Sequence, residues 1–120
     1  MKSRLWCAGA AVLAAMTGPL QAAPLCGREV ASLQALQDEL ANNPQVERVL
    51  DNDQYAAYAD QGARTVWTFT KPGHPAAPAV VCRRPVQNGN QISVQLQAGC
   101  GGPKEACDAM IAAFQALPVR

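Results

Sequence analysis

The chain has 120 residues with ten basic residues, nine acidic residues and one histidine, which suits one domain and leaves almost no net charge. This balance argues against nucleic acid or an anionic membrane surface as a partner, because both attract a basic face. Five cysteines in so short a chain favour disulfide bonds.

The N-terminus has the pattern of a secretory signal peptide. Lys2 and Arg4 precede a short apolar run, and small residues lead up to Ala22. The apolar run falls short of the roughly 20 residues that a membrane-spanning helix needs. Cleavage after Ala22 would remove residues 1–22 and leave residues 23–120 as one domain with a net charge of −1. We therefore expect a periplasmic or secreted protein without a membrane anchor.

An amphipathic pattern follows the signal peptide. Apolar residues recur at a spacing of three or four, with polar residues between them, which predicts a helix over residues 28–42. Asn43 and Pro44 would end this helix, because the residue before a proline avoids the helical region. The apolar stripe consists of Val30, Leu33, Leu36 and Leu40.

Residues 45–62 fit more than one structure. Residues 46–50 match one face of a helix but also a short strand. Asp51, Asn52 and Asp53 indicate a turn in either case. Residues 55–59 match a short helix or an edge strand.

Two β-rich runs flank a loop that contains three prolines. Residues 65–70 and 79–82 contain the β-branched and aromatic residues that favour strands, so they predict a hairpin with residues 71–78 at its tip. Asn88 and Gly89 predict a tight turn into a further strand, in which apolar and polar residues alternate. Such a turn would pair Leu96 with Val81. The register stays open, because a bulge near Pro85 would shift it.

The last predicted element is a C-terminal helix that starts near Pro103 and stops at Pro118. Together the elements predict an α+β domain. Its small antiparallel sheet has three to four strands, both the N-terminal and the C-terminal helix pack on one face, and two disulfides stabilise it. The other face would be exposed and polar, and would carry Thr68, Thr70, Ser93, Gln95 and Gln97.

The four cysteines of the mature chain predict two disulfides. A zinc site would require closely spaced pairs, and the spacings here are 56, 18 and 7 residues. Cys100 and Cys107 lie on either side of a strand-to-helix corner, which favours a bond between them and leaves Cys26 to pair with Cys82.

Two groups of residues are candidates for binding a partner. In the proline-rich loop, Lys71, Pro72, His74 and Pro75 would hold a preset geometry at little entropic cost. Arg83 and Arg84 form the second group and would lie in a groove or at a solvated strand end. The alternative for the loop is a rigid hairpin tip with an exposed histidine.

No catalytic, metal or cofactor signature accompanies these residues. His74 is the only histidine, no nucleophile motif lies near it, and the spacing of Cys100 and Cys107 differs from the C-x-x-C of redox enzymes. We therefore expect a non-enzymatic binding or accessory protein whose partner is another exported protein. The alternatives are an inhibitor or immunity protein for an exported hydrolase or toxin, and a small hydrolase or redox enzyme that uses His74 or the two cysteines.

Overall fold

A computed structural model describes residues 24–118, so the expected signal peptide at residues 1–22 lies outside the described residues. The described part contains a two-stranded hairpin, a five-stranded antiparallel sheet and two helices. Within it, no helix is long and apolar enough to cross a membrane. The elements in chain order are β1 (Pro24–Leu25), β2 (Arg28–Glu29), α1 (Leu33–Ala41), β3 (Val46–Asp51), β4 (Tyr55–Asp60), β5 (Thr65–Thr70), β6 (Ala79–Asn88), β7 (Gln91–Cys100) and α2 (Lys104–Gln115).

The first helix begins later than the apolar spacing predicted. Cys26 and Gly27 form a tight turn with φ of 47° and 80°, and both positive values match a type I′ hairpin. This hairpin places Arg28 in β2, opposite Leu25. The Ser32 hydroxyl then accepts a hydrogen bond of 3.1 Å from the N–H of Ala35 and caps α1. The predicted start at residue 28 was therefore wrong.

The ambiguous residues 45–62 form the hairpin β3–β4. The sheet order is β3-β4-β5-β6-β7, so every strand pairs with its neighbour in the chain. The predicted sheet of three to four strands was too small. β4 is an internal strand, neither a helix nor an edge strand, although its alanines favour helices. Ala56 and Ala57 are both buried, so packing on both faces of the sheet overrides that preference.

The two helices cover opposite faces of the sheet, which corrects the prediction that they share one face. α1 packs on the face that carries Trp67 and Val80, here called the α1 face. α2 packs on the face that carries Val81 and Ala98, here called the α2 face. Neighbouring residues in a strand point to opposite faces, and Val80 and Val81 are both fully buried. The centre of β6 therefore needs cover on both sides.

The turn between β6 and β7 consists of Gly89 and Asn90, one residue later than predicted. Gly89 has φ of 63°, as the first position of a type II′ turn requires. Asn88 therefore pairs with Gln91, and every later pair shifts with it. The residue opposite Val81 is Ala98 rather than Leu96.

The polar residues predicted on one exposed face are divided between the two faces. Thr68 and Thr70 lie on the α2 face, where Thr68 is buried. Ser93, Gln95 and Gln97 lie on the α1 face, where Gln97 pairs with Cys82. The expectation of an open polar face was wrong, because both faces receive a helix.

Both disulfides connect the elements that the chain order suggested. Cys26 in the β1–β2 turn is bonded to Cys82 in the centre of β6, with 6.3 Å between their Cα atoms. Cys100 at the end of β7 is bonded to Cys107 in α2, with 6.2 Å between Cα atoms. Two disulfides in a small domain indicate an oxidising compartment outside the cytosol.

Candidate functional site

The proline-rich loop is fastened at its first residue. The N–H of Lys71 donates a hydrogen bond of 2.8 Å to the carbonyl of Gln54, and its ammonium group forms an ion pair with Asp51. This contact holds the pKa of the Asp51 carboxyl below its ordinary value, first through the hydrogen bond from Lys71 and then through its charge. Pro72 and Pro75 are exposed. The charge of Lys71 is thus engaged within the protein.

His74 packs inward and is not the exposed tip that one interpretation expected. Its side chain is half-buried, and its Nε2 lies 2.8 Å from the hydroxyl of Tyr55. The backbone N–H of Ala76 donates to Nδ1 at 2.9 Å. Since Nδ1 accepts, the neutral ring carries its proton on Nε2 and donates it to Tyr55. Both ring nitrogens are therefore used within the loop and β4.

Tyr55 links the loop to α2. Its ring contacts His74 with 4.9 Å between centroids and meets Phe114 edge to face at 5.5 Å. Burial raises the pKa of the Tyr55 phenol, so the phenol stays protonated at neutral pH. The cluster is a packing unit, since neither the imidazole nor the phenol offers an unoccupied base.

Arg83 and Arg84 point to opposite faces of β6 and are distant from the loop, at the other end of β5. Arg84 donates from Nε to the side-chain oxygen of Gln95 at 2.5 Å, and its guanidinium lies against Gly27. A Cβ at Gly27 would stand 2.8 Å from Arg84 Nη1. Arg84 thus packs closely against the β1–β2 turn, with no room for a side chain at Gly27. The sequence-predicted candidates therefore do not form one site.

The side chain of Arg83 lies between two adjoining cavities at the end of the α2 face that α2 leaves open. Their volumes are about 490 and 360 Å³. We call this region the Arg83 cleft. The residues that line it are Arg64, Val66, Arg83, Arg84, Pro85, Ile92, Ser93, Val94, Leu96, Phe114, Gln115 and Leu117.

The Arg83 cleft is positively charged. Arg64 and Arg83 supply this charge, and none of the lining residues is acidic. Arg84 also borders the cleft, but its guanidinium lies on the α1 face beside Gln95. Arg83 donates from Nη2 to the carbonyl of Pro118 at 3.2 Å. Its Nε is shielded from solvent and finds no hydrogen-bond partner within residues 24–118. This N–H is therefore an unsatisfied donor, which a carboxylate from outside can reach only when the side chains that cover it move aside.

Apolar side chains surround this charge. Val66, Ile92 and Leu117 are 37, 64 and 46% exposed, although valine, isoleucine and leucine are residue types that usually lie inside. Sequence reasoning identified Arg83 but missed these neighbours. Val66 pairs with Arg83, and Arg83 with Leu96, so only the register across three strands reveals the cleft. No signal in a single strand would have found it.

A third cavity, of about 570 Å³, lies between α1 and the proline-rich loop. Pro72 and Pro78 line it from the loop, and Leu33, Gln34 and Gln37 line it from α1. No charged residue lines this cavity. Its polar groups are amides and one hydroxyl, so it offers shape and apolar surface without a charge that would select a partner.

Metal ligation has no support in the described part of the chain, where no three His, Cys, Asp or Glu side chains are grouped closely enough to hold an ion. The two disulfides also occupy all four cysteines of residues 24–118.

No protein-family model, curated protein or solved structure matches this chain. Its function is therefore inferred from its own residues and their geometry.

Proposed function

We propose that this chain is a small exported binding or accessory protein that has no catalytic activity and binds another exported protein through the Arg83 cleft. The observation that carries the proposal is a guanidinium with one unsatisfied N–H, at Nε, bordered by exposed apolar side chains. Arginine is enriched among the residues that dominate binding energy in protein interfaces, and the exposed apolar side chains beside it are surface that a partner can bury. The segment that fits is a short stretch of the partner with a carboxylate flanked by apolar side chains.

The Arg83 cleft supports this role better than the proline-rich loop. Lys71 is engaged by Asp51, and both nitrogens of His74 are engaged by Tyr55 and Ala76. A partner that bound the Lys71 ammonium or the His74 ring would have to compete with these contacts. At the cleft it would instead cover exposed apolar surface next to an arginine, and burying that surface favours binding.

An enzymatic role finds less support. A general base needs an unoccupied nitrogen, and His74 donates through Nε2 while accepting through Nδ1. Cys100 and Cys107 hold the corner between β7 and α2, and Cys107 is buried. A reactive thiol usually requires exposure and an electropositive setting. The disulfide is therefore better explained as a structural bond.

If the partner is an exported hydrolase or toxin, the protein acts as an inhibitor or immunity protein. A carboxylate-bearing loop of such an enzyme would fit the charge of the Arg83 cleft. The other form is an accessory protein that binds a non-catalytic partner. Adding the mature protein to the captured partner and measuring the activity of that partner separates the two.

The test is affinity capture from the periplasmic or secreted extract of the source cell. The bait is the mature protein as wild type, as Arg83→Gln, and as Arg48→Gln. Arg48 is exposed on β3 and lies outside the cleft, so its variant removes one positive charge without touching the site. We expect one protein to be retained by the wild type and by Arg48→Gln and lost with Arg83→Gln. Equal retention by all three baits, or His74-dependent turnover of any substrate, would contradict the proposal.

A further inference from the structure

The sheet has two edge strands, and β3 is protected against pairing with another strand. It carries Glu47, Arg48 and Asp51, and its register with β4 shifts at Val49. Charged side chains and β-bulges are the devices by which natural proteins prevent edge-to-edge association. The edge at β3 is therefore a poor place for a further strand.

β7 forms the other edge and lacks these devices. It contains no charged residue and no proline, and it pairs with β6 over ten residues without a shift. Residues 25–33 lie beside residues 98–100 and cover that end. In the described part of the chain, β6 is the only strand that pairs with β7. Residues 91–97 therefore present an open edge.

The turn of the β6–β7 hairpin determines which backbone groups point outward. Asn88 and Gln91 flank a two-residue turn, so they form the hydrogen-bonded pair that closes the hairpin. Hydrogen-bonded and non-hydrogen-bonded pairs alternate from there. By this alternation, Pro85 and Val94 form a non-hydrogen-bonded pair. Proline suits such a position, because the N–H that it lacks is not needed for the bond to β7. The residues that direct N–H and C=O away from β6 are Ile92, Val94 and Leu96.

Residues 91–97 of one copy match the same residues of a second copy when the two strands run antiparallel. Val94 is its middle residue, and polar and apolar residues alternate symmetrically on either side of it. With a two-fold axis at Val94, Ile92 of one copy lies opposite Leu96 of the other on the α2 face. Ser93 then lies opposite Gln95 on the α1 face. No like charges meet, because the edge carries none.

We propose that residues 91–97 pair with the same residues of a second copy of this chain, with Val94 opposite Val94. The three outward-facing pairs exchange two backbone hydrogen bonds each, about six in all. The pairing also covers part of Ile92, whose side chain is 64% exposed. The two five-stranded sheets become one continuous sheet with a two-fold axis, and both copies keep their disulfides.

Single cysteine substitutions test the register directly. In a hydrogen-bonded pair the Cα atoms lie about 5.5 Å apart, within the range that a disulfide bridges. We expect the mature protein with Val94→Cys to form a cross-linked dimer on mild oxidation. Ile92→Cys and Leu96→Cys are matched controls, because each lies about 13 Å from its own copy along the strand. Neither should cross-link alone, whereas an equimolar mixture of the two should.

Sedimentation equilibrium of the mature protein measures the association itself. We expect a concentration-dependent dimer whose dissociation constant rises at least about tenfold with Val94→Pro, which removes only an outward N–H and keeps the ladder with β6. A wild type that stays monomeric, or an Ile92→Cys variant that cross-links as well as Val94→Cys, would overturn the proposal. A monomer whose edge pairs with a strand of a different protein would overturn it as well. If Val94→Pro does not fold, the cysteine variants decide alone.

Discussion

The hydroxyl of Tyr55 lies 2.8 Å from Nε2 of His74, so the proline-rich loop is bonded to an internal strand of the sheet. The same imidazole accepts from Ala76 two residues further on. Tyr55 in turn packs edge to face on Phe114 of α2. His74 thereby connects the loop to the sheet, and Tyr55 extends this connection to the second helix. The structural role of His74 is to fix the loop against β4.

This contact predicts that His74→Ala destabilises the protein. Two hydrogen bonds are lost, at about 0.5–1.5 kcal/mol each, so we expect the free energy of unfolding to fall by about 1–3 kcal/mol. Tyr55→Phe keeps the contact with Phe114 and loses only one of those bonds. A double-mutant cycle in urea should show coupling between Tyr55 and His74. An exposed histidine would instead change stability by no more than about 0.5 kcal/mol.

The control for this cycle is Tyr58→Phe. The Tyr58 hydroxyl lies 3.4 Å from the amide nitrogen of Gln37, which is a long and weak hydrogen bond. Its loss should cost less than the loss of the Tyr55 hydroxyl. Equal effects of Tyr55→Phe and Tyr58→Phe would contradict the account of His74.

The two disulfides should contribute unequally to stability. Cys26 and Cys82 close 56 residues of chain, and Cys100 and Cys107 close seven. The chain-entropy relation gives about 4 kcal/mol for the long loop and about 2.5 kcal/mol for the short one, both as upper-end values. Replacing each pair by serines and measuring urea unfolding should therefore show the larger loss for Cys26 and Cys82. The reverse order would show that residual structure in the unfolded chain dominates.

The ion pair between Lys71 and Asp51 predicts a pH-dependent contribution to stability. Lys71 lowers the pKa of Asp51 in the folded protein below the ordinary value of 3.8. The contribution is therefore present above the unfolded-state pKa and is lost as the pH falls through the folded-state pKa. The gap in unfolding free energy between wild type and Asp51→Asn should exist at neutral pH, shrink with added salt, and disappear in strong acid.

Asp53→Asn is the matched control, because it removes a carboxylate from the same turn without breaking an ion pair of the described residues. The difference in unfolding free energy between wild type and Asp53→Asn should not change with added salt. A gap for Asp51→Asn that persists unchanged in strong acid would contradict the role of Lys71.

Gly102 is predicted to be intolerant of a side chain. A Cβ at this position would lie 2.6 Å from the carbonyl oxygen of Ala76, which is backbone and cannot move aside easily. Overpacking of this kind costs about 1–3 kcal/mol, so Gly102→Ala should lower the melting temperature clearly. Gly62→Ala is the control, since its Cβ would meet only a carboxylate oxygen of Asp60 at 3.7 Å. Similar melting temperatures for the two variants would show that the loop does not pack on Gly102.

Local patterns in the sequence predicted several features of the fold. The run Thr65–Thr70 is a strand because β-branched and aromatic residues suit a buried sheet, and the chain order suggested both disulfides. The number of strands was missed because the alanines of β4 carry a helical preference that only packing reverses. The placement of the helices was missed although Val80 and Val81 are adjacent and both buried. Adjacent buried residues in a strand require cover on both faces.

The candidate site was predicted only in part, because its members meet across strands. Arg83 was identified from its charge, but its neighbours follow from pairings that the turn at Gly89 determines. A shift of that turn by one residue moves the partner of Arg83 along β7. His74 was proposed as a binding residue because the sequence does not reveal its contact with Tyr55. A single histidine in a loop gives no sign of such a contact.

The central claim is that the Arg83 cleft binds a partner, and photo-crosslinking in the native compartment tests it most directly. A photoreactive amino acid is placed at Val66, inside the cleft, or at Val49, which is exposed on β3 outside it. We predict a crosslinked adduct of one defined mass for position 66, its loss when Arg83→Gln is added, and no adduct for position 49. An adduct at Val66 that survives Arg83→Gln, or equal adducts at both positions, would contradict the claim.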